Sequence, residues 1–174
     1  MLIGLAIGGP AFGLSNVASA TTVSSSQMGI AALPANCSTN RLVIWINTQA
    51  NGAAGSSFYN LEFTNLSAKS CLLAGYPGVS AVNLGGHQDG SSAARNAVIV
   101  PKAVTLAHGQ SAVAILQITN TANYPSSSCH SGLAAGLRVY PPNQSIAKVV
   151  PFPFAACLAT SESYLHIEAV QLAH

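Results

Sequence analysis

Charge is what this sequence has least of. Among 174 residues, 6 are Lys or Arg and 4 are Asp or Glu, which makes 6% charged against about 25% in an ordinary soluble domain. Six scattered cations cannot build the basic stripe that neutralises phosphates, so nucleic acid is excluded as a partner. Aspartate occurs once, as Asp89, and no Gly-x-Ser-x-Gly segment is present to carry a hydrolase nucleophile. A Ser-His-Asp triad would have to use that one residue. No Cys-x-x-Cys pair occurs, which removes the usual zinc and thioredoxin-like arrangements. The most apolar stretch, Met1 to Val17, is interrupted by Pro10 and by glycines as far as Gly13. It is shorter than the roughly 20 residues a membrane-spanning helix needs.

What is present argues for a folded chain. Hydrophobic residues make up 49% of the sequence and the mean hydropathy is +0.41, enough apolar surface to offset chain entropy. Solubility comes from uncharged polar groups: 21 Ser, 9 Thr, 12 Asn and 7 Gln. The length fits one domain.

Residues 1–20 read as a signal peptide, an apolar segment closed by Ala18-Ser19-Ala20, small residues of the kind a signal peptidase accepts. The mature chain then starts at Thr21. A flexible leader of small and polar residues covers 21–36, and the folded domain covers 37–174. Four cysteines, Cys37, Cys71, Cys129 and Cys157, are spread through that domain. In an exported chain they read as two structural disulfides, with three pairings open.

Runs of β-branched and aromatic residues alternate with turn clusters, and no sustained 3.6-residue period appears. Strands are expected at Arg41 to Asn47, with Leu42, Ile44 and Ile46 on one face, Val43 and Trp45 on the other, and both faces covered. Further strands are expected at Ser57 to Leu66, Val79 to Leu84, Ala97 to Leu106, Gln110 to Thr119, Gly136 to Tyr140, Ile146 to Val150 and Tyr164 to Leu172. Tyr76-Pro77-Gly78-Val79 suits a type II turn with Gly78 at φ > 0. Ala107-His108-Gly109 is expected to join two of the strands as a hairpin. About eight strands with turns every 8 to 15 residues fit an all-β sandwich of two sheets. A ten-strand propeller blade or a barrel is the other arrangement that such strands allow.

Cys71-Leu72-Leu73-Ala74-Gly75-Tyr76-Pro77-Gly78-Val79 carries a resemblance. So do Gly52-Ala53-Ala54-Gly55, Thr64-Asn65-Leu66, Val104-Thr105-Leu106, Gly109-Gln110-Ser111-Ala112 and Pro141-Pro142. In this order, between the four cysteines, they resemble a family of exported actinobacterial domains of unknown function. Leu72 stands where that family has Thr, and His108 where it has a hairpin Pro. The resemblance implies an immunoglobulin-like β-sandwich, an extracytoplasmic location and sequential disulfides, Cys37 with Cys71 and Cys129 with Cys157. It implies no activity and no site residues.

Candidate chemistry is sparse. His87 and Asp89 lie in the Gly-rich segment Gly85 to Gly90 and are the pair a metal or a hydrolase would use. Two ligands are too few for a catalytic metal, and the segment also suits a plain turn. No metal and no cofactor are expected. Glu162 and Glu168 stand six positions apart, with Glu168 turned outward on its strand, which suits a solvated face better than a catalytic pair. Trp45 is expected to be buried against a disulfide. Tyr124, Ser126 and Ser127 lie in a Ser-rich segment before Cys129 that reads as an unstructured loop, the place where a sandwich often carries contacts. The sequence therefore reads as an exported, non-catalytic domain, secreted or held at the cell wall. Its role there is binding or support, with an envelope protein or a glycan as partner. The alternatives are an extracellular carbohydrate-binding module and a hydrolase using His87 and Asp89.

Overall fold

Leu42, Ile44 and Ile46 are buried while Val43 and Trp45 between them are 40% exposed, so the first strand covers one face only. The computed structural model describes residues 33–173, together with Gly4, Gly8 and Gly9. Apart from those three glycines, the expected signal peptide and the leader as far as residue 32 lie outside the described residues. The last leader positions are tied down, since the Ala35 carbonyl accepts from Leu72 N–H and Cys37 N–H donates to Leu72 O, both at 2.9 Å.

Three sheets share one core. The largest is built from β1 (Leu42–Ala53), β2 (Ser56–Asn65), β6 (Ala94–Arg95), β8 (Ser111–Thr119), β11 (Leu165–Ile167) and β12 (Gln171–Leu172). Its order is β1-β2-β8-β11-β6, with β12 also on β8. The second runs β10-β9-β4-β5 and uses β4 (Gly78–Val82), β5 (Gln88–Asp89), β9 (Ser131–Tyr140) and β10 (Lys148–Cys157). A small third sheet pairs β3 (Cys71–Leu73) with β7 (Val104–Leu106). All pairings are antiparallel except β11 with β6. Inward side chains of the two larger sheets, including Leu61, Phe63, Leu116 and Ile167 from one and Val79, Leu137, Val139 and Val150 from the other, form a single cluster. That is the packing of a β-sandwich. The expected all-β class and both sequential disulfides, Cys37–Cys71 and Cys129–Cys157, are present.

Asn65 shows why β2 closes on that residue. It is fully buried. Its amide donates to Lys69 O at 3.0 Å and to Leu106 O at 2.9 Å, and its Oδ1 accepts from Ser67 N–H and Ser67 Oγ. Every side-chain polar atom is satisfied, so its burial costs little, and the bond to Leu106 ties the small sheet to the large one.

Several expectations are corrected. Trp45 is not buried against a disulfide; the alternation that buries Ile44 and Ile46 turns it outward. Gly78 opens β4 instead of turning, and the positive φ of that bend belongs to Gly75, at 101°. Ala97 to Ala103 is not strand; Pro101 lacks an N–H, and Val98 and Val100 are exposed. Only Val104–Leu106 pairs there, and with β3, so Ala107 to Gly109 is a passage between sheets instead of a hairpin. Gly109 still supplies φ 79°. The final expected strand is split in two because Ala169 and Val170 are both buried, which breaks the alternation, and Val170 N–H turns to Gly75 O. β10 continues past Val150 through Pro151 and Pro153, with a register shift between Pro151 and Phe154.

Candidate functional site

β1 and β2 extend as a hairpin whose tip, Ala54-Gly55, has both residues at positive φ, 49° and 75°. Ala53 pairs with Ser56 across it, the two-residue turn that suits the twist of paired strands. The tip is docked: Gly55 O accepts Asn120 N–H at 2.9 Å and the Asn123 amide at 3.1 Å. A cleft of about 540 Å³ opens between this hairpin, the end of β8 with the 3-10 turn Thr121–Asn123, and β10.

Its walls combine aromatic rings with neutral polar groups. Tyr59 meets Phe152 edge-on at 5.0 Å between centroids, and Phe152 stacks on Phe154 at 5.6 Å. The outer two of these rings, Tyr59 and Phe154, line the cleft beside Ser56, Ser57, Thr119 and Asn120, and no lining side chain is charged. Ser56 Oγ donates to Thr119 Oγ1 at 3.2 Å and accepts from the Gln117 amide at 3.1 Å, fixing that wall. A surface of this kind can stack against a ring and hydrogen-bond hydroxyls. It holds no acid and base pair for proton transfer.

His87 and Asp89 are not brought together as an acting pair. His87 is exposed and its N–H donates to Asn83 Oδ1, while Asp89 Oδ1 accepts from the Asn83 amide at 3.4 Å. Asp89 Oδ2 is buried beside Tyr164, whose hydroxyl is buried as well, and neither atom has a hydrogen-bond partner. Burial first, and the Asp89 charge second, push the Tyr164 phenol well above its ordinary range. Among the described residues no group of three His, Cys, Asp or Glu side chains could hold a metal ion.

The Ser-rich segment is ordered structure instead of a free loop: a helical turn, Ser126–Cys129, closed by His130 at φ 48°. Ser126 and Ser127 are exposed on it. Tyr124 is half-buried, packs against the core and donates to Ser163 O at 3.2 Å. We therefore expect Tyr124→Ala to cost about 1–3 kcal/mol in urea unfolding. A change below about 0.5 kcal/mol would show that the ring carries no packing.

The cleft residues Tyr59 and Phe154 were only partly visible in the sequence. Tyr59 alternates with Leu61 and Phe63 along its expected strand, and Phe154 is hidden in Pro151-Phe152-Pro153-Phe154, whose prolines argue against a strand. The model of a family described as a domain of unknown function (DUF4232) matches residues 37–171. No curated protein and no solved structure matches the chain.

Proposed function

Because the chain belongs to the DUF4232 family, a domain of unknown function, its role has to be read from its own surface, and we propose a non-catalytic binding domain of the cell exterior whose ligand is a glycan. The observation that carries this is the cleft, where Tyr59 and Phe154 stand beside uncharged hydroxyl and amide groups. A sugar offers apolar C–H faces and many hydroxyls, which match rings and neutral polar groups, and it carries no charge needing a counter-ion. An exterior location is supported by two disulfides. No helix among the described residues is long and apolar enough to cross a membrane. The reading extends to a domain that is secreted or held at the cell wall, and to a role without catalysis, in keeping with the bond of Asp89 to the Asn83 amide.

The test is co-sedimentation of the protein with isolated cell-wall polysaccharide, followed by calorimetric titration with the fragment retained. Phe154→Ala should weaken that binding about tenfold or more, equivalent to about 1.4 kcal/mol, measured at a temperature where the variant is still fully folded, because the half-buried ring also packs on Phe152 and the core. Retention of a single protein instead of a glycan, or full binding by Phe154→Ala, would overturn the reading.

A further inference from the structure

The outer face of the large sheet carries a second constellation, remote in chemistry from the cleft. Register aligns Trp45 of β1 with Glu62 of β2, Glu62 with Val113 of β8, and Val113 with Gln171 of β12. Residues directly opposite one another point to the same face, so these four side chains form one row, with neighbours about 4.8 Å apart. Asn60 and Ile115 form the next row. A cavity of about 380 Å³ lies here, lined by Asn60, Glu62, Val113, Ile115 and Gln171 among others, and no Lys or Arg lines it.

Glu62 is unusual in this setting. It is half-buried, and desolvation raises its carboxyl above the ordinary value, with no cation counteracting the shift. Among the described residues it makes no ion pair and no side-chain hydrogen bond. Glu168, whose N–H donates to Ile115 O at 3.0 Å, is raised by burial in the same way. The sequence has only four acidic residues and a net charge of +2, yet two of the four, Glu62 on β2 and Glu168 just past β11, are partly desolvated. A carboxylate that has lost water and gained no partner is stabilised by a ligand that returns a positive charge or strong donors. Directly opposite Glu62, the half-exposed indole of Trp45 offers a face that attracts cations.

We infer that this face binds a cationic nitrogen group, an alkylammonium or guanidinium, held by the Glu62 carboxylate over the Val113 and Ile115 floor, with the Trp45 ring flanking Glu62 on the other side of the row. Asn60 and Gln171 supply side-chain carbonyls for its remaining N–H groups. Such a group reaches the site either as a small free amine or as a Lys or Arg side chain of a polypeptide.

Trp45 is the sole tryptophan of the chain, so intrinsic indole fluorescence reads this site directly. The protein is titrated with choline and with butylammonium, and in parallel with 3,3-dimethylbutan-1-ol, a neutral analogue of choline. Both cations should shift Trp45 emission saturably and the alcohol should not. Glu62→Gln should weaken the cations about tenfold or more. A short Lys-containing peptide binding at least tenfold more tightly than butylammonium assigns the site to a polypeptide partner, and equal affinity assigns it to free amines. No saturable shift, an equal response to the alcohol, a response to oligosaccharides alone, or unchanged affinity in Glu62→Gln would each overturn the inference. The comparison of cation with alcohol uses the unaltered protein, so it stands even if the variant folds poorly. Loss of glycan binding on Phe154→Ala leaves this result untouched.

Discussion

Reduction of both disulfides should lower the melting temperature by more than about 20 °C in calorimetry with and without a phosphine reductant. Cys37–Cys71 closes a separation of 34 residues that contains β1 and β2, and Cys129–Cys157 closes 28 residues that contain β9 and most of β10. In the chain-entropy description each such closure removes about 3.5–4 kcal/mol of unfolded-state freedom. Together they approach the net stability of a whole domain, about 5–15 kcal/mol. All four cysteines are buried, so reduction also leaves thiols within a core shaped for cystines. A fall of less than about 5 °C would show that sheet packing alone holds the fold.

Gly90→Ala should cost more than about 3 kcal/mol in urea unfolding, a loss seen only where backbone has to move. Gly90 has φ 68°, and a Cβ there would stand 2.1 Å from Cys157 O and 3.2 Å from Tyr164 Cε1. Its N–H also donates to Leu158 O at 3.1 Å. The strand β5 thus lies directly on the segment that leaves β10, and neither side can yield without opening the other. Gly75→Ala is the comparison. Its φ is 101° with nothing within 4 Å of the added carbon, so it carries backbone strain alone, about 1–2 kcal/mol. Equal losses at the two positions would show that contact with Cys157 O contributes nothing.

The strands that sequence places well are those with one buried face. Ser57 to Leu66 and Gln110 to Thr119 were expected within a residue of the observed Ser56–Asn65 and Ser111–Thr119, because Leu61, Phe63, Ala112, Ala114 and Leu116 alternate with half-exposed partners. Elsewhere tertiary context overrides composition. Val98-Ile99-Val100 has strong β character but pairs with no strand, and Pro101 lacks the N–H that a ladder needs. β3, β5 and β6 have two or three residues each and leave no period to detect. Trp45 was misplaced by a general preference for burying tryptophan, although the alternation of Leu42, Ile44 and Ile46 already pointed it outward. The cleft was illegible for a different reason. Tyr59 and Phe154 are 95 positions apart in the chain, and only the passage of β10 alongside β1 and β2 joins them. The row from Trp45 to Gln171 likewise depends on register across four strands, which no local pattern encodes.

The ends of the sheets have a consequence for how copies of the chain meet one another. A protein with so few charges has little mutual repulsion to keep its copies apart, and an open strand edge is a template for another chain. Among the described residues no edge offers a long regular row of donors and acceptors. β5 and β6 are two residues each, β1 is broken by a shift between Asn47 and Asn51, and β10 carries Pro151 and Pro153 at its own break. A strand arriving along β10 meets two residues without N–H groups and a bend in the backbone. Protection from edge-to-edge aggregation is thereby built into backbone geometry, where salt and pH cannot remove it.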